Sequence, residues 1–191
     1  MSNTVYIEGK SIQKEDYREN FLDKGDYENC KFINCDFSNS DISKVRFIDC
    51  EFSHCNLTMV KIIGTAFQNV LFKDCKMLGI QFENCYQLIL SFSFENCHLN
   101  HSTFYQIKMK KTRFKGCELK EADFTEADIS ESVFEDCDFL NAIFSYTNLE
   151  KADFRSAFNY SIDPEQNRIK KAKFSLLGIS GLLDKYGIEI E

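Results

Sequence analysis

Nine cysteines and three histidines are the first residues to consider in this 191-residue chain as soft metal ligands or as a nucleophile and its base. Two cysteine pairs, Cys30/Cys35 and Cys50/Cys55, have a C-x4-C spacing, and thiolates bind zinc and iron–sulfur clusters. A five-residue repeat produces the same spacing without a metal, and no nearby histidine completes a tetrahedral site. We therefore predict no metal and no cofactor, and nine free thiols that are mostly buried.

The histidines do not form a recognisable catalytic set. His54, His98 and His101 take outward positions in the repeat, and Cys97 points to the opposite side of the wall from His98, which argues against a Cys–His pair. The sequence contains no H-E-x-x-H, G-x-S-x-G or P-loop pattern. We therefore predict that the protein is not an enzyme.

A five-residue repeat is the element that must position these side chains. Between Ala122 and Phe154 a large apolar residue returns at every fifth position, and a small residue precedes each by two positions. An α-helix has a period of about 3.6 and a β-strand a period of 2, so neither explains the spacing. The pattern predicts stacked, flat-sided coils of four pentads, in which two residues of each five are buried.

The cysteines indicate the length of one coil. Six of them follow a single series with intervals of 20, 20, 22, 20 and 20 residues: Cys35, Cys55, Cys75, Cys97, Cys117 and Cys137. The same arithmetic aligns a series of phenylalanines: Phe94, Phe114, Phe134, Phe154 and Phe174. We predict coils of twenty residues, with one column of stacked thiols and one column of stacked rings inside the wall.

The interval of 22 residues marks a slip in the repeat. It lies within Tyr86–Phe92, a segment more apolar than the other pentads. One interpretation is a tolerated insertion or bulge that re-aims the chain. The other is an exposed apolar contact at Leu88–Leu90. The sequence leaves both open.

The pattern divides the chain into three parts. Residues 1–11 are predicted to form an N-terminal cap, and residues 12–175 an all-β solenoid of about eight coils with a loop near residues 158–167. Residues 176–191 are predicted to form a short C-terminal helix followed by a strand-like tail, to which the family resemblance described below adds a role in dimerisation. The helix rests on the spacing of Leu176, Ile179 and Leu182, and Gly187 is its predicted stop.

The overall charge limits the possible partners. The formal net charge is −7, so bulk attraction to nucleic acid or to an anionic membrane is not expected. No secretory signal and no run long enough to span a membrane is evident. Nine cysteines without a signal are typical of thiols in a reducing compartment, so we predict a cytoplasmic protein.

The charge is unevenly distributed along the chain. Residues 61–120 carry a net charge of +5, including a basic cluster at residues 108–115, whereas residues 121–163 carry −9. The acidic block spans about two coils, or roughly 10 Å, over which B-DNA carries about six charges. We predict an acidic partner-binding face; the alternative is a solvated surface that serves solubility. Its residues would be Asp123, Glu126, Asp128, Glu131, Glu135, Asp136, Asp138, Glu150 and Asp153.

The repeated A-D-F-x-x, A-D-I-x-x and C-D-F-x-x pentads resemble those of the pentapeptide-repeat proteins, from about Phe32 to Phe174. The resemblance implies a right-handed quadrilateral β-helix. The ending, Lys170–Glu191, is similar to that of the quinolone-resistance members, which form homodimers through this tail and bind DNA gyrase or topoisomerase IV. By resemblance, the dimer contact would consist of Leu176, Leu177, Ile179, Leu182, Leu183, Ile188 and Ile190.

Two functions follow as hypotheses. The first is a non-catalytic, dimeric, DNA-mimicking protein that binds a type II topoisomerase and confers quinolone resistance, without contacting nucleic acid or membrane directly. The second is an interaction scaffold for an unknown protein partner, in which the acidic surface serves solubility. The absence of long projecting loops, which several quinolone-resistance members carry, separates this chain from them.

Overall fold

The computed structural model describes residues 4–189 as a four-sided stack of parallel β-coils. We number the sides faces 1 to 4, in the order in which the chain meets them in each coil. Face 1 begins as a four-stranded sheet, and face 2 is a nine-stranded sheet. The strands of face 1 are Val5–Glu8 (β1), Gly25–Glu28 (β3), Arg46–Ile48 (β5) and Ala66–Gln68 (β7). Those of face 2 are Ser11–Gln13 (β2), Lys31–Ile33 (β4), Glu51–Ser53 (β6), Val70–Lys73 (β8), Phe92–Glu95 (β9), Arg113–Lys115 (β10), Val133–Glu135 (β11), Asp153–Phe154 (β12) and Lys173–Phe174 (β13).

Single parallel bridges, instead of strands, connect the coils on faces 3 and 4 and on the C-terminal part of face 1. Glu118 pairs with Asp138 on face 3, and Asp123 pairs with Ile143 on face 4. In the sheets, as in these ladders, partner residues lie twenty positions apart except across the slip. The predicted twenty-residue coil is therefore confirmed.

The core consists of the central apolar residues, stacked coil upon coil. Phe94, Phe114 and Phe134 are fully buried on face 2, with successive ring centroids 4.9 and 5.0 Å apart and nearly parallel rings. Rings from different faces meet edge to face, as Phe104 and Phe114 do at 6.2 Å and 86°. Both geometries are favoured for aromatic pairs. Since a coil buries these rings only against its neighbours, stacking itself creates the core.

All nine cysteines are free and buried, as predicted. The ladder on face 3 places Cys97, Cys117 and Cys137 one above another, which confirms the predicted column. Backbone carbonyls accept from these thiols: Cys97 Sγ lies 3.4 Å from the carbonyl oxygens of both Phe72 and Glu95. Within residues 4–189, no group of three or more His, Cys, Asp or Glu side chains could hold a metal ion.

The corners between faces use left-handed backbone, which the sequence analysis did not predict. The residue two positions after the central apolar residue has a positive φ, for example 52° at Asn29 and 55° at Asn34. Asparagine, aspartate and glycine tolerate this region best. Larger residues also adopt it, including Lys44 at 63° and Glu131 at 61°. The frequent Asn, Asp and Gly at this position of the pentad would have predicted the left-handed corners from the sequence.

The slip adds two residues to one coil. Strands β8 and β9 pair with an offset of 22 residues instead of twenty. In this coil, face 1 is formed by a short 3-10 helix, Gln87–Ile89, which follows another at Phe82–Asn84 on face 4. Leu88 is 83% exposed, so the additional residues project from the wall.

The ends of the solenoid differ from its middle. Strand β1 pairs with β3, so residues of the predicted N-terminal cap already stack on the next coil. Near the other end, a turn at residues 164–166 interrupts face 4. The boundaries of the three predicted parts stay predictions.

The predicted C-terminal helix takes the form of two 3-10 helices, Ile179–Leu182 and Asp184–Tyr186, which end at Gly187 with φ 58°. Glycine has a low helix propensity, and Gly178 and Gly181 lie within this segment. Both glycines pack directly on Tyr160, where an added Cβ would collide with the tyrosine. In the part of the chain that the structure describes, no helix has the length and apolar character to cross a membrane.

Candidate partner-binding surface

The nine carboxylates predicted to form one acidic face lie on all four faces of the solenoid. Successive pentads each turn the chain by one side, so a continuous acidic block surrounds the stack as a belt. Each corner residue is assigned to the face before the corner. Face 1 holds Asp128, Glu131 and Glu150, and face 2 holds Glu135, Asp136 and Asp153. Face 3 holds Asp138, and face 4 holds Asp123 and Glu126. The single face is therefore corrected to a belt, and the role of these residues in binding stays a prediction.

Six of these nine carboxylates are paired with basic side chains from the same or an adjacent coil. Their nitrogen–oxygen distances are 2.7–3.5 Å in the pairs Lys110–Asp128, Lys151–Glu131, Arg113–Glu135, Lys120–Asp138, Arg168–Glu150 and Arg155–Asp153. Exposed pairs of this kind contribute only about 0.2–1 kcal/mol each to stability. Their larger effect is on the surface potential, because each pair cancels one negative charge of the belt.

The pairs also shift the affinity of the carboxylates for protons. A hydrogen bond from Arg155 holds the pKa of Asp153 below its ordinary value, and one from Arg113 does the same for the pKa of Glu135. These carboxylates therefore remain ionised, but they face a guanidinium instead of solvent.

The twenty-residue coil explains why the basic cluster at residues 108–115 precedes the acidic block. The cluster lies one coil before the acidic block, so Lys111 faces Glu131 and Lys115 faces Glu135, each twenty residues later. Opposite charges on neighbouring strands attract as cross-strand pairs. Applying the twenty-residue interval to the charges would have revealed these pairs from the sequence.

Face 4 differs between Gln81 and Tyr146, because its carboxylates in this part have no basic partner among the described residues; of the nine predicted residues, Asp136 on face 2 is also unpaired. From Gln81 to Tyr146 its outward positions contain Glu83, Asp123 and Glu126 and no lysine or arginine. Within residues 4–189, no basic nitrogen lies within 4.0 Å of these three carboxylates. Their contacts are with neutral groups: Glu83 accepts a hydrogen bond from Thr103 Oγ1 at 2.6 Å, and Glu126 accepts one from Gln106 Nε2 at 2.8 Å.

Large apolar and aromatic side chains are exposed on the same face. Tyr105, Ile143 and Tyr146 all point to solvent beside the unpaired carboxylates. Tyrosine is enriched at the buried centres of protein interfaces, where it combines contact area with a hydroxyl group. Face 4 between Gln81 and Tyr146 therefore combines unneutralised negative charge with apolar contact area.

The residues predicted for the dimer contact divide into exposed and buried ones. Leu176 and Leu177 are 91% and 96% exposed, and Ile179 and Ile188 are also exposed. Leu182 is only 8% exposed, because it packs into the core of its own chain, so it is a poor candidate for contact with a second copy.

Two other residues from that prediction add little. Leu183 is partly buried, and Ile190 lies outside the described residues. The exposed apolar surface of the tail therefore rests mainly on Leu176 and Leu177.

Fold and surface together define a class: a four-sided parallel β-solenoid built from five-residue repeats, with a charged outer wall. The model of the pentapeptide repeat region matches residues 26–104, 81–156 and 107–182. These matches together cover most of the chain, which therefore belongs to the pentapeptide-repeat family.

Solved structures with the same fold include two forms of QnrB1, a plasmid-mediated fluoroquinolone resistance protein. A trypsin-treated form is 19% identical with a TM-score of 0.62, over 98% of this chain and 92% of QnrB1. The full-length form is 20% identical with a TM-score of 0.58, over 97% and 100%. The predicted right-handed quadrilateral β-helix of about eight coils is confirmed. At this identity the likeness concerns the fold. Among curated proteins, none matches the chain.

Proposed function

We propose that this protein is a non-catalytic, cytoplasmic binding protein of type II topoisomerases, DNA gyrase or topoisomerase IV, and that it confers quinolone resistance. The unpaired carboxylates of face 4 carry the proposal, because no basic side chain of the described residues cancels their charge and exposed apolar side chains lie beside them. The other unpaired carboxylate of the belt, Asp136, lies apart from them on face 2. The fold likeness to QnrB1, a fluoroquinolone resistance protein, supports the proposed link to quinolone resistance. Face 4, with Glu83, Asp123 and Glu126, is then the contact surface.

The imitation of DNA in this proposal is partial. Glu83 and Asp123 are two coils apart, or roughly 10 Å along the axis. B-DNA carries about six charges over that length, whereas face 4 presents three carboxylates. Charge therefore supplies about half of what DNA would supply, and Tyr105, Ile143 and Tyr146 contribute apolar contact that DNA lacks.

A supercoiling assay tests this function. We expect the purified protein to inhibit supercoiling of relaxed plasmid by gyrase at micromolar concentrations, and at lower concentrations to restore supercoiling in the presence of a fluoroquinolone. Both effects should weaken as salt is raised from 50 to 200 mM, because surface charge attraction is screened. If the protein changes supercoiling under neither condition, the topoisomerase proposal is wrong.

The second candidate is an interaction scaffold for another protein, with the belt serving solubility. The six ion pairs of the belt favour this alternative, since they leave much less negative charge for imitating DNA than the sequence suggests. Inactivity in the supercoiling assay would favour it.

We also propose that the tail forms a homodimer through Leu176 and Leu177. Replacing Leu177 with aspartate is expected to raise the dimer dissociation constant at least tenfold, because the contact would bury an unpaired charge. Sedimentation equilibrium measures the change. Leu88→Asp is the matched control, since Leu88 is an exposed leucine on the projecting segment at the slip, several coils before the tail. Equal dissociation constants for Leu177→Asp and the unmodified protein would contradict the role of the tail.

A further inference from the structure

The projecting segment at the slip arches over a neighbouring coil. The backbone N–H of Tyr86 donates to the carbonyl of Thr65 at 2.8 Å, and that of Ser91 donates to the carbonyl of Phe67 at 2.9 Å. Between these two anchors the chain forms the 3-10 helix Gln87–Ile89 and leaves the wall. The arch crosses Ala66, which is only 4% exposed although it occupies an outward position.

A surface cavity of about 420 Å³ lies beside this arch. Its lining residues are Lys44, Arg46, Gly64, Ala66, Tyr86 and Ile89. Two small residues leave room for the cavity: Gly64 has no side chain, and Ala66 has a single methyl group where the preceding coils of face 1 place Tyr6, Asp26 and Arg46. The volume is within the range of about 300–1,000 Å³ that small-molecule sites occupy.

The lining combines positive charge with an aromatic and an aliphatic wall. Lys44 is exposed, and among the described residues no carboxylate lies within 4.0 Å of its ammonium. Arg46 pairs with Asp26 through Nη1 at 2.8 Å and also lines the cavity. Tyr86 and Ile89, two exposed side chains of the arch, also line the cavity. A ligand that fits would carry a negative charge on a flat apolar body.

We propose that this cavity binds a small planar aromatic carboxylate. The carboxylate would accept charge-assisted hydrogen bonds from the ammonium of Lys44 and the guanidinium of Arg46. The ring system would lie between Tyr86 and Ile89, above the methyl group of Ala66. The site lies at the corner between faces 4 and 1 and includes none of Glu83, Asp123 and Glu126, so its test is independent of the topoisomerase proposal.

Titration with 2-naphthoate, followed by calorimetry and by amide chemical shifts, tests the site. We expect 2-naphthoate to bind at least tenfold more tightly than the neutral 2-naphthamide, with shifts concentrated at Lys44, Arg46, Ala66, Tyr86 and Ile89. Lys44→Asn should weaken binding at least fivefold. Asparagine tolerates the left-handed backbone of this corner, so the substitution changes the charge and spares the fold.

Lys171→Asn is the matched control, because Lys171 has the same left-handed backbone at a distant corner. It should leave affinity within twofold. Gly64→Asn, which places a side chain in the cavity at another left-handed position, should also weaken binding. Three results would overturn the proposal: no saturable binding of 2-naphthoate, equal affinity for the amide, or equal losses for the two lysine variants.

Discussion

Replacing Phe114 with alanine lowers the expected free energy of unfolding by about 3–5 kcal/mol, the cost of deleting a buried aromatic ring. Phe114 is fully buried, and its ring stacks between those of Phe94 and Phe134 at 4.9 and 5.0 Å. A solenoid has only nearest-neighbour contacts, so the loss falls on two coil interfaces that no other part of the chain can support.

Chemical denaturation measures the effect of Phe114→Ala, and the melting temperature should fall by about 6–20 °C for a chain of this size. Val133→Ala is the matched control, because Val133 lies on the same face one coil further and is exposed. The control should change the free energy of unfolding by less than about 0.5 kcal/mol. A loss below about 1 kcal/mol for Phe114→Ala would show that the stacked rings do not hold the coils together.

The fold could be predicted because the same five-residue pattern of buried and exposed positions recurs along most of the chain. Each pentad places an apolar residue inward, so errors in one pentad do not change the period. The cysteine series predicted the coil length, since Cys97, Cys117 and Cys137 occupy the same position in successive coils. The change of interval from 20 to 22 residues likewise predicted the slip.

The surface could be predicted only in part, because it depends on which residues become neighbours across coils. A net charge counted along the chain treats Lys111 and Glu131 as members of different segments, although the solenoid brings them together. The acidic block therefore appeared as one strong face, whereas the structure distributes it around four faces and pairs most of it. The unpaired carboxylates of face 4 come from two different segments of that count.

The tail shows a different limit of sequence reasoning. Helical spacing predicted one helix that includes Leu176 and Leu182, and the family resemblance placed both in the dimer contact. In the structure Leu176 precedes the first 3-10 helix and is exposed, whereas Leu182 ends that helix and is buried. In this arrangement Gly178 and Gly181 pack on Tyr160. The spacing of apolar residues within the tail does not predict that contact, because Tyr160 lies outside the tail.

The proposed contact through face 4 is tested most directly by two triple variants that change charge equally. Glu83→Gln, Asp123→Asn and Glu126→Gln neutralise the unpaired carboxylates, and each amide keeps the shape of the side chain it replaces. Glu131→Gln, Glu135→Gln and Asp138→Asn neutralise three carboxylates that already face lysine or arginine. Both variants raise the net charge by three, so a general effect of charge would be the same for each.

The measurement is the dissociation constant of each variant with DNA gyrase. The first variant should weaken binding about tenfold or more, because charges at an interface contribute to affinity when they lack an intramolecular partner. The second should stay within threefold of the unmodified protein. Equal weakening by both variants, or stronger weakening by the second, would contradict the assignment of face 4 as the contact surface.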